Sequence, residues 1–93
     1  MDFTSSAKTK YIQYRSTHEH TVAFTTAGST GVRIDMKIYN ASDDILFNRA
    51  FAQGTSEQIF TFGEGEFYKI VFEYVGTIAQ GVKISELIYY ELK

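Results

Sequence analysis

Residues 57–75, EQIFTFGEGEFYKIVFEYV, decide the fold class. Phe60 and Phe62 fall on one face of a first strand, and Tyr68, Ile70, Phe72 and Tyr74 on one face of a second, at the two-residue spacing of a pleated backbone. Gly63-Glu64-Gly65 stands between them, and glycine readily takes the positive φ that a tight connection demands. The pattern predicts a β-hairpin with largely aromatic inner faces. A lone hairpin is marginal in water, so this pair must sit at the centre of a larger sheet.

The flanking sequence supplies that sheet. Upstream, VRIDMKIY (32–39) alternates without a fault, Val32, Ile34, Met36 and Ile38 inward and Arg33, Asp35, Lys37 and Tyr39 outward, as in an antiparallel sheet with one wet face. Asn40-Ala41-Ser42-Asp43-Asp44 reads as a turn, because Asn, Ser and Asp side chains bond nearby backbone. ILFNRAF (45–51) returns with Ile45, Phe47 and Phe51 on one face, interrupted by Arg49, and Ala52 to Ser56 turn the chain again. Nearer the N-terminus, KYIQYR (10–15) and residues 20–25, with Val22 and Phe24 inward, make two further strands before the small-residue loop Ala27-Gly28-Ser29-Thr30-Gly31. Downstream, GTIAQG (76–81) is a loop, and VKISELIYYEL (82–92) reads as one long last strand. Val82, Ile84, Ile88, Tyr90 and Leu92 share one of its faces with Glu86 among them, while Leu87 and Tyr89 lie on the other. Either a bulge near Ser85-Glu86 switches the faces or both sides are covered, and coverage on both sides is expected. No stretch shows helical periodicity. About seven to eight strands at this spacing give an all-β fold, an antiparallel sandwich of jelly-roll-like form. The 93 residues make a single domain over 10–93, preceded by a Ser/Thr-rich arm, 1–9, that is flexible or ordered by a partner.

Charge and composition exclude several function classes. The nine basic residues are scattered along a chain of net charge −2, so no run exists to displace counterions from a phosphate backbone, and nucleic acid is not an expected partner. No apolar stretch approaches the about 18 residues of a membrane span, and the first ten residues lack the apolar core of a signal peptide. A membrane is not expected as a partner. The absence of cysteine removes disulfides, thiolate metal sites and a Cys nucleophile, and leaves the compartment undetermined.

Candidate chemistry is sparse. His18-Glu19-His20 projects two imidazoles from one strand face, as a metal pair requires, but further ligands would have to be carboxylates such as Asp35 or Glu73. Asp35, Asn40, Asp43 and Asp44 offer the hard oxygens calcium prefers, but the EF-hand spacing is absent and an Asx turn explains Asn40 and Asp43 on its own, so no cofactor is expected, with calcium the alternative. There is no Gly-x-Ser-x-Gly elbow, and Glu64 and Glu66 in a wet turn would both stay ionised. An enzyme is therefore not expected.

What stands out is an aromatic surplus. Tyr39, Phe67, Tyr89 and one of Tyr11 and Tyr14 fall opposite the faces assigned to the core, and Phe3 lies in the arm. Tyrosine carries an apolar ring and a polar tip, which suits protein contacts and sugar stacking alike. Phe3, Tyr11, Tyr14, Tyr39, Phe67 and Tyr89 are the expected interface or ligand-stacking residues. The chain contains no proline, so edge strands lack one common guard against pairing with a neighbour. The expected function is thus a non-catalytic self-associating subunit, in an oligomer or fibre, that uses an edge strand or the arm. The alternative is an accessory module binding carbohydrate or another extracellular polymer.

From Val32 onward, VRIDMKIYNASDDILF, FTFGEGEFYKIVFEYVG and VKISELIYY in that order resemble the small bacterial β-sandwich modules of the pre-peptidase C-terminal type and, more distantly, the GOLD domain. The resemblance implies a non-catalytic accessory sandwich in an extracellular or cell-surface setting, some such modules binding calcium or polymers. It carries no binding residue over to this chain.

Overall fold

The computed structural model describes residues 1–27, 33–51 and 57–93. Val32, the Gly28–Gly31 part of the small-residue loop and the expected turn at 52–56 lie outside these. Among the described residues there are nine strands and no helix: β1 (Asp2–Thr4), β2 (Thr9–Arg15), β3 (His20–Ala27), β4 (Arg33–Asn40), β5 (Ile45–Phe51), β6 (Glu57–Phe62), β7 (Phe67–Val75), β8 (Lys83–Ser85) and β9 (Leu87–Leu92). All pairings are antiparallel, in the orders β2-β7-β4-β5, β6-β3-β9 and β1-β8.

The expected last strand is broken at Glu86. Its first part pairs with β1 and its second with β3. Taken as one interrupted strand, it completes a second sheet of order β1-(β8, β9)-β3-β6 facing β2-β7-β4-β5, and this interleaving is the two-sheet jelly roll.

The central pair is not a hairpin. β6 bonds to β3 in one layer, while β7 lies between β2 and β4 in the other. A hairpin would lay both aromatic faces side by side in one sheet; crossing between the layers turns each face onto the other. Phe62 and Phe60 meet Tyr68 edge-on, with ring centroids 4.9 and 5.9 Å apart, the arrangement aromatic quadrupoles favour. Gly65 takes φ 75° in the connection, and its N–H donates to the Ser16 carbonyl at 2.8 Å, while the Ser16 N–H donates to Glu66 at 2.9 Å. The Tyr68 hydroxyl oxygen accepts the N–H of Gly63, five residues upstream, at 2.7 Å. Such a tyrosine corner fixes the place where the chain changes sheets.

β4 and β5 do form a hairpin. The Asn40 carboxamide oxygen accepts the backbone N–H groups of Ser42 (2.9 Å) and Asp44 (3.0 Å), with Asp43 at φ 63°. The register shifts between Ile38 and Tyr39: Ile38 opposes Phe47 but Tyr39 opposes Ile45, leaving Leu46 as the extra residue of a bulge. Ile45 therefore joins Tyr39 on the outer face rather than Phe47 and Phe51 on the inner one. It is exposed.

Ile34, Met36, Ile38, Ile70, Phe72, Val22, Phe24 and Phe62 fill the space between the sheets, joined by Ile78 from the 76–81 loop. Phe3 belongs here too, with 0% exposure. Residues 2–4 form β1, the Met1 ammonium donates to the Glu86 carbonyl at 2.8 Å, and the Glu86 N–H donates back to Met1 at 2.8 Å. The expected arm is thus part of the domain, because docking a Phe in the core outweighs the ordering cost of a few small residues.

Candidate functional site

Two surfaces stand out, and β9 governs the first. Cross-strand partners share a sheet face, so the pairs Val22–Leu92 and Phe24–Tyr90 put Leu92 and Tyr90 on the same inward side as buried Val22 and Phe24. Yet Tyr90 is 76% exposed and Leu92 68%. The reason lies in the sheet edges. β2 and β9 are the lateral strands of opposite layers, and between them the sandwich gapes as a groove of about 590 Å³, with Ile12, Ile88 and Tyr90 on its walls, Phe24 and Phe72 beneath, and Met1, Asp2 and Lys10 also lining it. β1 pairs with β8 and stops short of β9, so Phe3 plugs the core beside one part of this seam and leaves the rest open. On the outward side β9 also exposes Leu87 and Tyr89. The expected coverage of both sides does not occur: Glu86 interrupts the strand, and both faces of the part beyond it carry exposed apolar side chains.

The second surface is the outer face of the four-stranded sheet. Tyr11, Phe67 and Tyr39 share it, since Tyr11 opposes Val71, Arg15 opposes Phe67 and Tyr39 opposes Lys69. The Lys69 ammonium lies 5.1 Å from the Tyr39 ring centre and the Arg15 guanidinium 5.3 Å from that of Phe67, both within cation–π range. Beside them a shallow cleft of about 280 Å³ is lined by Gln13, Asn40, Asp43, Phe67 and Lys69, among others.

The six expected contact residues therefore do not form one site. Tyr11 and Phe67 are exposed and Tyr39 half-buried on the second surface, whereas Tyr89 lies on the opposite sheet. Phe3 is unavailable, being core. Tyr14 is half-buried against Phe62, 5.0 Å between centroids, and its hydroxyl meets His20 Nε2 at 2.7 Å; its ring completes the closed end of the core. Sequence reasoning missed Ile88, Tyr90 and Leu92, since their shared parity assigned them to the core, and Ile12, since the inward face of residues 10–15 was left open. The available signal was a last strand apolar on both faces.

The acidic residues do not gather. Among the described residues no three His, Cys, Asp or Glu side chains come together as metal ligands. Asp35 pairs with Arg33 at 3.1 Å, Asp43 lies 3.8 Å from Lys69, and Asn40 holds the turn described above. Asp35, on the strand, therefore does not join the turn's oxygens, and the four-residue calcium set is not assembled. His18 and His20 do lie together, 4.7 Å between ring centres. However, His20 Nδ1 donates to the His18 carbonyl at 2.7 Å, and in the neutral ring Nε2 accepts the Tyr14 hydroxyl proton. Both ring nitrogens are engaged. At the seam, the Ser85 hydroxyl donates to Asp2 at 2.8 Å and holds its carboxyl below the usual range; Lys83, the N-terminal ammonium and Lys10 act in the same direction, and desolvation opposes them.

No known family model matches the chain, and no curated protein matches it. Among the described residues no helix is long and apolar enough to cross a membrane.

Proposed function

We propose that this protein is a non-catalytic interaction subunit that self-associates through the β9 edge and the seam beside it. One observation carries the proposal: two inward-facing side chains of an edge strand, Tyr90 and Leu92, stand in solvent, Tyr90 on the wall of an open groove to the core. A contiguous apolar patch joined to an unguarded strand edge is the physical recipe for strand addition. Residues 2–4 are a strand of their own domain with Phe3 in its core, so the reading needs no exchanged N-terminal arm. The test is the native mass by light scattering over a wide concentration range, for the parent chain and for Leu92→Lys. Mass that rises with concentration in the parent and stays monomeric in the variant supports the reading; a monomeric parent throughout sinks it.

A second reading rests on the other surface. Tyr11, Tyr39 and Phe67 share an outer sheet face beside a cleft with amide, carboxylate and ammonium groups, a composition that suits stacking and hydrogen bonding to a polysaccharide. The resemblance to accessory sandwich modules favours the same ligand class. Retention on insoluble polysaccharide that is lost in Phe67→Ala would support it, whereas passage of the parent chain straight through the column would end it.

A further inference from the structure

We infer that the partner at the seam is a second copy of this chain, its β9 running antiparallel to the first about a two-fold axis at Tyr90. This rests on the self-association proposed above and specifies its geometry. The backbone sets the register. Lys93 N–H donates to the Thr21 carbonyl at 2.9 Å, and in an antiparallel ladder alternate residues turn their N–H and C=O to the same neighbour. Leu87, Tyr89 and Glu91 thus face β3, and Ile88, Tyr90 and Leu92 turn theirs to the open side, where no strand pairs with β9 among the described residues. Glu86 has the same parity and bonds outward to Met1, which confirms the alternation.

Those three residues are self-complementary in one register. With the axis at Tyr90, Ile88 opposes the second copy's Leu92, Tyr90 opposes Tyr90, and every outward N–H and C=O of the three finds a partner. An axis at Tyr89 would direct Leu92 onto Glu86, whose backbone groups are taken by Met1. An axis at Glu91 would set two like charges opposite one another, which is destabilising. The Tyr90 register instead places Glu91 against Tyr89 and Lys93 against Leu87 on the outer face. On the inner face the second copy's Ile88, Tyr90 and Leu92 extend over the groove, beside Ile12 and above Phe72. The three-stranded β6-β3-β9 sheets of two copies then run on as one sheet. Because the same patch serves both copies, the contact closes at two and yields a dimer, not a fibre.

The chain has no cysteine, so single substitutions report cleanly. Directly opposed residues of a bonded pair have Cα atoms about 5.5 Å apart, within disulfide reach, whereas diagonal neighbours at about 7–8 Å are beyond it. In a thiol–disulfide buffer Tyr90→Cys should form a covalent dimer. Ile88→Cys, Tyr89→Cys, Glu91→Cys and Leu92→Cys should not, and Ile88→Cys/Leu92→Cys together should. Cross-linking that peaks at a different residue, in a parent chain that still dimerises, overturns this register and leaves self-association standing. A parent monomeric at all concentrations overturns both. Amide exchange on the unsubstituted chain supplies a second measurement: protection of Ile88, Tyr90 and Leu92 should rise at least tenfold between dilute and concentrated protein, while Leu87, Tyr89 and Glu91 change little. Equal changes in the two sets would refute the register.

Discussion

The two flanks of this sandwich use the same residue types and reach opposite states. At the β6–β7 crossing, Phe62 is 1% exposed and packs against Tyr14, His20, Phe24, Phe60 and Tyr68. At the seam, Tyr90 points the same way from β9, on the other side of β3 in the same sheet, and is 76% exposed. Hydrophobicity and face are shared; the difference is what lies opposite. Phe62 has strand β7 crossing over it, tied down through Ser16, Glu66, Gly63 and Tyr68, while Tyr90 looks across a gap towards the outermost strand of the other layer. Burial is therefore decided by the partner strand and not by the side chain's own parity.

The comparison can be broken by substitution. Phe62→Ala should cost about 3–5 kcal/mol in denaturant unfolding, as core Phe truncations do, whereas Tyr90→Ala in dilute monomer should change stability by less than about 0.5 kcal/mol. Similar losses at both positions would erase the distinction between the flanks. Phe3→Ala tests whether the plug belongs to the closed side. A loss of about 3 kcal/mol is expected for a fully buried Phe, and no loss would return residues 1–9 to the status of an arm. Tyr68→Phe leaves the ring in place but removes the acceptor for the Gly63 N–H, so about 1–3 kcal/mol should be lost, read as a fall in the denaturant midpoint at constant slope.

The smallest effect concerns pH at the seam. Asp2 has its carboxyl held below the ordinary value of 3.8, chiefly by the Ser85 hydroxyl. A folded pKa below the unfolded one stabilises the native chain above the unfolded value, and this is lost as pH falls through the folded value. Acid titration of stability should show a small component below about pH 4 that disappears in Asp2→Asn. A component unchanged in Asp2→Asn would have to arise from another carboxylate.

Much of the architecture could be read from residue order. The alternation of Ile34, Met36 and Ile38 specified an inward face, and all three are buried; the strand expected at 45–51 has those bounds, and the two expected within 57–75 on either side of Gly63-Glu64-Gly65 are Glu57–Phe62 and Phe67–Val75. Partner choice could not be read, because a hairpin and a crossing between layers demand the same two-residue period and the same glycines. The bulge at Leu46 and the break at Glu86 escaped for a related reason: each shifts parity by a backbone irregularity that leaves composition unchanged. Phe3 was misjudged because a single apolar residue among Ser and Thr carries no period. At the candidate surfaces, Tyr11, Tyr39 and Phe67 were recognisable from outward parity, whereas Tyr90 and Leu92 became visible once the gap opposite them was known.

The pairing of β1 with β8 has a kinetic consequence. It joins residues 83 apart in sequence, Asp2 with Ser85, and contacts of such separation form slowly because a long loop must close before they repay its entropy. β1 is then expected to dock after the strands with shorter loops to close. Until it does, the Phe3 cavity and the groove form one continuous opening, and docking of β1 on Lys83–Ser85 closes the stretch of edge next to the Ile88–Leu92 strip at which a second copy is proposed to pair.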